Sequence, residues 1–158
     1  MRNPRAILPL PYTRPPLSLN DSGASRGAAF AKARVRREIR EHVCRIAALA
    51  YVPRGVAHVT VELHYQAPDR RRRDTDNLVA TAKPVCDALT AGRPVRITSR
   101  GVLPPVLGYG MVPDDTPAWM SKPEPVIHAA IPGEPGRMWV ELTWITHAEA
   151  ARATETSA

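Results

Sequence analysis

The chain has 158 residues, of which 44% are hydrophobic, so it has the size and composition of one ordinary globular domain rather than of a disordered segment. No apolar run approaches the roughly 20 residues of a membrane-spanning helix. The short N-terminal apolar patch is cut by prolines, unlike a signal peptide. We therefore expect a cytoplasmic protein with no membrane partner.

Charge indicates a polyanionic partner. Lysine and arginine total 22 against 15 aspartate and glutamate, a net charge of +7, and 19 of the 22 are arginines. Such a surface suits nucleic acid, although many small soluble proteins are simply basic and an arginine bias also follows from a GC-rich genome. The two cysteines, Cys44 and Cys86, make neither a disulfide framework nor a zinc site, so we expect them to fill the core.

The first half of the chain predicts a strand, a loop, a long helix and a second strand. Residues 6–10 form the first strand, and the prolines of residues 11–16 a rigid loop. Residues 26–50 have helical periodicity and several candidate N-caps, namely Asn20, Asp21, Ser22 and Ser25. The expected buried stripe of this helix is Val35, Ile39, Val43, Ile46 and Ala50. Strict alternation predicts a strand over residues 58–65, with His58 and His64 on its solvent face.

The second half predicts a shorter helix over residues 77–90, a long loop-like stretch over 91–113, and strands over 126–131 and 138–145. The polar residues from His147 onward are expected to fray. Together these elements predict an α+β fold: a single small domain over residues 1–146 with a mixed β-sheet packed with helices, then a polar tail over 147–158.

Six of the seven aspartates lie in two short stretches, which is unusual in a basic protein. Asp74 and Asp76 are two residues apart, so in extended backbone their carboxylates point to the same side and favour a cation between them. Hard oxygen ligands suit Mg²⁺ or Mn²⁺. Asp114-Asp115 can supply a third carboxylate, and the neighbouring arginines can hold a DNA backbone while the metal assists phosphodiester hydrolysis.

Simpler interpretations stay open for each motif. Asp76 or Asn77 can cap the following helix, Asp114-Asp115 can form an ordinary turn between two prolines, and residues 70–73 can be a solvated charge patch. A calcium loop is excluded, because it requires a further Asp or Asn and then Gly where this chain has Leu78 and Val79.

Three segments, taken in order, resemble the RusA family of Holliday junction resolvases. The family's arginine-rich loop leading into Asp-x-Asp-Asn is matched by residues 68–78. Its helix with a lysine and Asp-Ala-Leu is matched by Lys83 and Asp87-Ala88-Leu89. Its closing Asp-Asp pair after a glycine is matched by residues 110–115. The joint pattern is specific, whereas either half alone is weak.

The resemblance implies a homodimeric endonuclease, encoded by a phage or prophage and acting in a bacterial host cell. It implies paired nicks across four-way DNA junctions in recombination and repair, with Mg²⁺ or Mn²⁺ and no small-molecule cofactor. Asp74, Asp76 and Asp115 would be catalytic metal ligands with Asp114 beside them, and Lys83 would hold or polarise the phosphate. The DNA-binding residues would be Arg70, Arg71, Arg72, Arg73 and Asn77.

Two departures from the family pattern keep alternatives open. Lys83 lies about three residues later than the family lysine, and Pro84 makes a break in the helix as plausible as a smooth helix. The stretch 91–109, with Arg93, Arg96 and Arg100, is longer than expected and fits either a DNA-binding flap or a surface insertion. Asp87 fits both an active-site role and a structural pair with an arginine. A nuclease for flaps or forks, and a catalytically inactive branched-DNA binder, are the rival functions.

Overall fold

The computed structural model describes residues 4–19 and 25–156. In chain order its elements are β1 (Arg5–Leu10), α1 (Arg26–Leu49), β2 (His58–Gln66), α2 (Asp76–Leu89), β3 (Arg96–Thr98), β4 (Gly101–Leu103), β5 (Met120–Ser121), β6 (Val126–His128), β7 (Arg137–Ile145) and α3 (His147–Thr156). The described residues thus form one small α+β domain with a mixed sheet, as predicted.

The sheet runs β1-β7-β2, with β5 and β6 both paired to the remaining edge of β2. Strand β7 runs antiparallel to both of its neighbours, β1 and β2, whereas β5 and β6 run parallel to β2. Leu8, Val140 and Leu63 lie side by side across the three long strands and are buried. This alternating apolar face is the sheet's contribution to the core.

Helix α1 begins where the sequence places it, at Ser25, whose hydroxyl accepts a hydrogen bond from the backbone N–H of Ala28 at 3.1 Å. The other candidate caps, residues 20–22, lie outside the described residues. The buried stripe consists of Ile39, Val43 and Ala47. Val35 and Ile46 are half-buried at its borders, and the predicted fifth member, Ala50, is exposed because the helix ends one residue earlier.

Helix α2 continues through Pro84 without a break. Proline has no N–H, so one intrahelical hydrogen bond is missing there. Burial of Pro84 offsets part of that cost, and the Thr81 hydroxyl donates to the carbonyl of Leu17 at 2.9 Å, which ties the helix to the N-terminal loop. The important consequence is geometric: an unbroken helix keeps Lys83 and Asp87 on one face, one turn apart.

The segment 91–113 is more regular than expected. It contains the β3–β4 hairpin, and at its base Arg93 and Val106 exchange two backbone hydrogen bonds of 2.9 and 2.8 Å. The loop-like expectation was therefore wrong for this part of the chain. Glycines and prolines dominated the pattern, and β3 and β4 are only three residues each, too short to give a clear alternating signal.

The segment after Thr146 is helix α3 rather than a frayed tail. The Thr146 hydroxyl accepts from the N–H of Glu149 at 3.3 Å, and the Glu149 carboxylate accepts from the N–H of Thr146 at 2.8 Å. This is a capping box, and its Thr-x-x-Glu spacing is visible in the sequence. The expectation of fraying was wrong because it gave weight to polarity and overlooked this start signal.

His64 is buried, whereas alternation had placed it on a solvent face. Its ring stacks against those of Trp139 and His128, with centroids 5.2 Å away in each case. Trp139 occupies the paired position on β7 and covers it. In contrast, the cysteines behave as expected: Cys86 is buried, Cys44 is half-buried and both are free thiols. Among the described residues, none of the helices is both long and apolar enough to cross a membrane.

Candidate active site

Lys83 and Lys122 converge on one carboxylate, that of Asp115. Both ammonium groups lie 2.9 Å from the same oxygen, Oδ2, and Lys83 also lies 2.7 Å from Oδ1 of Asp87. We call Lys83, Asp87, Asp115 and Lys122 the lysine–aspartate cluster. It joins helix α2 to the segments before and after β5, so it brings together the two stretches of sequence that carry the resemblance.

Asp87 also anchors the cluster to helix α1. Its Oδ2 accepts a hydrogen bond from Nη2 of Arg40 at 2.9 Å, and both side chains are only 22% exposed. Of the two roles left open for Asp87, the structural pair with an arginine is present. The same carboxylate nevertheless contacts Lys83, so Asp87 also positions that ammonium group at the candidate site.

The contacts set the charge states of the cluster. Hydrogen bonds from Lys83 and then Lys122 lower the pKa of Asp115 to about 2, so this carboxylate is ionised at neutral pH. The hydrogen bond to Asp87, reinforced by Asp115, raises the pKa of Lys83, so the ammonium form is favoured. Because both lysines bind Oδ2, the second oxygen of Asp115 has no hydrogen-bond donor within the described part of the chain.

Asp74 and Asp76 lie at the start of α2, and both side chains are exposed. The N-cap is Thr75, so capping by Asp76 or Asn77 was the wrong alternative. Asp74 accepts from the N–H of Asp76 at 3.3 Å through Oδ1. Neither carboxylate forms an ion pair within residues 4–19 and 25–156. This end of the helix therefore carries two exposed carboxylates, and no cationic side chain among the described residues neutralises them.

Asp114 and Asp115 have different surroundings. One oxygen of Asp114 accepts from the backbone N–H of Thr116 at 2.8 Å and from the hydroxyl of the same residue. These bonds lower the pKa of Asp114. Asp114 therefore forms the turn considered as a simpler interpretation, whereas Asp115 belongs to the lysine–aspartate cluster.

The arginine-rich loop divides in a similar way. Arg73 donates to Oδ1 of Asp69 at 2.8 Å, a bond that lowers the pKa of Asp69, and its guanidinium also bonds two backbone carbonyls of the loop. Arg73 thus holds the loop in shape. Arg70 and Arg72 are exposed and form no ion pair in the described chain, and Arg71 is 86% exposed with only a 3.9 Å approach to Asp69.

A cleft beside α2 contains the amide of the predicted DNA contact Asn77. Its volume is about 330 Å³, and Arg14, Arg72 and Asp74 line it with Asn77. The Asn77 side chain accepts from the hydroxyl of Ser18 at 3.2 Å. Basic groups and an exposed carboxylate therefore share one concave surface, which is suitable for a phosphate backbone and a cation.

The structure does not gather all of the predicted metal ligands. Within the described residues there is no group of three His, Cys, Asp or Glu side chains close enough to hold one ion. The cause is the spacing in α2: seven residues of helix separate Asp76 from Lys83, a rise of about 10 Å. Asp115 contacts Lys83, further along the helix, rather than the residues at the start of α2.

Sequence reasoning overlooked three contributors to this region: Lys122, Glu124 and Arg40. Lys122 had a usable signal, because two of the only three lysines in this arginine-rich chain meet at Asp115. Glu124 accepts a short hydrogen bond from the Thr75 hydroxyl, between the two exposed aspartates. Arg40 is one of several arginines on α1, and nothing in the sequence distinguishes it from the others.

Comparisons with known proteins add no assignment: no protein-family model matches the chain, and no curated protein matches it.

Proposed function

We propose that this chain is a Mg²⁺-dependent endonuclease that cuts branched DNA, with the four-way junction as its preferred substrate. The observation that carries the proposal is the 2.9 Å contact between Lys83 and Asp115. The two residues are 32 positions apart and belong to two of the three segments that resemble the RusA family. A resemblance built on local motifs predicts that these segments meet in space, and a coincidental match gives no reason for the contact.

A divalent cation fits the donor chemistry of Asp74, Asp76 and Asp115. Among the described residues, Asp74 and Asp76 present exposed oxygens that pair with no cationic side chain, and the second oxygen of Asp115 accepts no hydrogen bond. The three carboxylates do not form a closed three-ligand site, since the described arrangement does not bring them within reach of one ion. When bound, Mg²⁺ or Mn²⁺ supplies Lewis-acid polarisation of the phosphodiester and a more acidic water.

Lys83 and Lys122 provide positive charge beside Asp115. Both lysines keep Asp115 ionised, and the side chain of Lys83 is itself 59% exposed. We propose that Lys83 contacts a phosphate oxygen of the scissile strand, where a fixed ammonium stabilises negative charge that develops during cleavage. Asp87, held by Arg40, is a positioning residue that keeps Lys83 in place.

Arginines of the loop hold the DNA backbone. Arg70, Arg71 and Arg72 have exposed guanidinium groups, and a basic surface of this kind binds phosphate without reading base sequence. Arg73 shapes the loop through Asp69 and contributes mainly by holding its neighbours in position. Asn77 lies in the same cleft and is proposed as a further backbone contact.

We further propose a homodimer in a bacterial cytoplasm. Symmetric nicking of a four-way junction needs two equivalent sites, and a two-fold axis provides them. Analytical ultracentrifugation tests this part separately: a species of twice the chain mass supports it, and a monomer at all concentrations contradicts it.

One observation favours a second candidate, a branched-DNA binder without catalysis. Lys83 and Lys122 both occupy Oδ2 of Asp115, and ammonium groups can neutralise a carboxylate with no metal present. Such a protein would bind junctions equally well in Mg²⁺ and in EDTA and would cut neither junctions nor duplexes.

The test uses a labelled synthetic four-way junction, a replication fork, a flap and a linear duplex of matched sequence, each with Mg²⁺, Mn²⁺ or EDTA. Paired symmetric nicks in the junction, dependent on the cation, are the expected result. Preferential cutting of the fork or flap would move the substrate assignment to other branched DNA. Binding of the junction with no cutting in either metal would contradict the enzyme proposal and favour the inactive binder.

A further inference from the structure

The β3–β4 arm, defined as residues 93–106, is fixed to the same cleft as the lysine–aspartate cluster. Arg93 and Val106 at its base line a cleft of about 300 Å³ together with Asp87 and Asp115. The two chain segments that enter and leave the arm approach each other closely at its base. A Cβ on Gly92 would lie 2.4 Å from the carbonyl oxygen of Val106. The arm therefore leaves the domain at a defined place beside the candidate active site.

Charge on the arm has one sign. Residues 88–113 contain no aspartate or glutamate, and the arm carries Arg93, Arg96 and Arg100. None of these three guanidinium groups forms an ion pair with any described residue. In contrast, Arg40 and Arg73 elsewhere in the chain are held by Asp87 and Asp69. Unpaired arginines on an exposed ribbon are available to phosphate groups.

The arm also exposes an apolar pair. Ile97 and Val102 are directly opposite in the β3–β4 register, so their side chains share one face of the ribbon. They are 82% and 67% exposed. Exposure of these apolar side chains to water is unfavourable, so a partner that covers both of them is stabilised by the hydrophobic effect. A hairpin with cations along it and an apolar pair near its tip matches nucleic acid with accessible base faces.

We propose that the β3–β4 arm is a second DNA-binding element, whose arginines contact backbone phosphates and whose Ile97–Val102 pair packs against bases exposed at a branch point. This inference rests on the proposed function and deepens it, because it assigns the preference for branched over linear DNA to particular residues. DNA is favoured over a second copy of the chain, since two arms that each carry three unpaired guanidinium groups would repel one another.

Two sets of variants test the proposal by binding in EDTA, where no cutting occurs. Arg93→Gln/Arg96→Gln/Arg100→Gln is compared with Arg5→Gln/Arg26→Gln/Arg152→Gln, which removes equal charge from exposed positions on β1, α1 and α3. If the arm neutralises three phosphates, the slope of log affinity against log salt becomes shallower by about 3. The control triple leaves that slope close to wild type. Unchanged slope in the arm triple would overturn the phosphate contacts.

Ile97→Thr/Val102→Thr keeps β-branched side chains and tests the apolar pair. We expect junction affinity to fall roughly tenfold and duplex affinity to stay unchanged, since only a branch point exposes base faces. The control Phe30→Ser/Leu49→Ser removes equally exposed apolar groups from α1 and should change neither affinity. Thermal melting checks that every variant folds. Equal loss on junction and duplex, or a change in sedimentation that marks a contact between copies, would overturn this role.

The outcomes separate this inference from the proposed function. If the wild-type protein cuts junctions and the arginine triple variant of the arm binds and cuts them equally well, the role of the arm is contradicted and the nuclease proposal is unaffected. A wild-type protein that never cuts, but binds junctions through the arm, contradicts the nuclease and supports the arm. A protein that binds no DNA contradicts both.

Discussion

The carboxylates at the two ends of helix α2 differ in exposure and in ion pairing. At the beginning, Asp74 and Asp76 are exposed and pair with no cationic side chain of residues 4–19 and 25–156. About three turns later, Asp87 and, beside it, Asp115 are neutralised by two lysines and Arg40. Two acidic side chains close together repel unless a cation lies between them. The far end supplies its own cations, whereas no described side chain supplies one at the near end, where we propose that Mg²⁺ from solution binds.

Removing a carboxylate from the open end is expected to have the largest effect. Asp76→Asn should lower junction cleavage on the order of 10³-fold, because a lost metal ligand removes most of the electrostatic stabilisation that an ion provides. Folding should be unaffected, since Asp76 forms no ion pair with the described residues. Glu38→Gln, which removes an exposed carboxylate from α1, is the matched control. Cleavage at the wild-type rate by Asp76→Asn would contradict the assignment of this end.

The neutralised end is tested by Lys83→Met, for which we expect a smaller loss of cleavage, roughly 10- to 100-fold. Lys83 is the main cause of the low pKa of Asp115, so that pKa should rise, as measured by NMR titration of the carboxylate. A carboxylate with a lowered folded pKa stabilises the fold above its unfolded value of 3.8. That contribution disappears as the pH falls through about 2.

The stability difference between wild type and Lys83→Met should therefore be present at neutral pH and vanish in strong acid. Lys32→Met, on α1, serves as the control. An unchanged Asp115 titration in the Lys83 variant would show that Lys122 alone sets the charge of this carboxylate.

The next effect concerns packing. Arg40→Met leaves Asp87 with Lys83 as its only cationic partner among the residues that the structure describes, and loosens the contact between α1 and α2. We expect a loss of about 1–2 kcal/mol in the free energy of unfolding, because the pair is largely shielded from solvent. Arg34→Met breaks an exposed ion pair on the same helix and should cost less than about 0.5 kcal/mol. Equal losses in urea titrations of the two variants would contradict a special role for Arg40.

The smallest effect compares two helix starts. Helix α3 uses its first acidic residue, Glu149, to cap, whereas α2 leaves Asp76 uncommitted and takes Thr75 as N-cap without a side-chain hydrogen bond. Thr146→Ala should cost α3 about 1 kcal/mol of local stability and leave cleavage unchanged, as measured by amide hydrogen exchange. The corresponding change Thr75→Ala should affect α2 less. The opposite order would show that the start of α2 depends on this threonine for stability.

Regular elements with strong periodicity could be predicted from the sequence. The Ser25 cap and the stripe through Ile39 and Val43 follow from local patterns that the structure bears out. The alternation in β2 holds over residues 58–63 and fails from His64 onward, where both faces of the strand are buried. The hairpin and helix α3 were missed for different reasons. Strands of three residues leave no period to detect, whereas the capping box at Thr146 was legible and was overlooked.

The candidate site could be predicted only in part. Residue types fixed the acidic positions and Lys83, but whether Pro84 breaks α2 depends on tertiary packing, and that decides which way Lys83 points. The convergence of Lys122 on Asp115 comes from the turn made by Asp114 and the short strand β5, neither of which has a strong local signal. Distances between carboxylates follow from such details and cannot be derived from spacing alone.

The most direct measurement of the central claim is Mn²⁺ binding to the purified protein without DNA, followed by electron paramagnetic resonance and calorimetry. The set comprises wild type, Asp76→Asn, Asp115→Asn and the Glu38→Gln control. We predict saturable binding by wild type and control, strong loss in Asp76→Asn, and a weaker loss in Asp115→Asn, whose carboxylate is shared with two lysines. Binding by Asp76→Asn equal to that of wild type, or no binding by wild type, would contradict it.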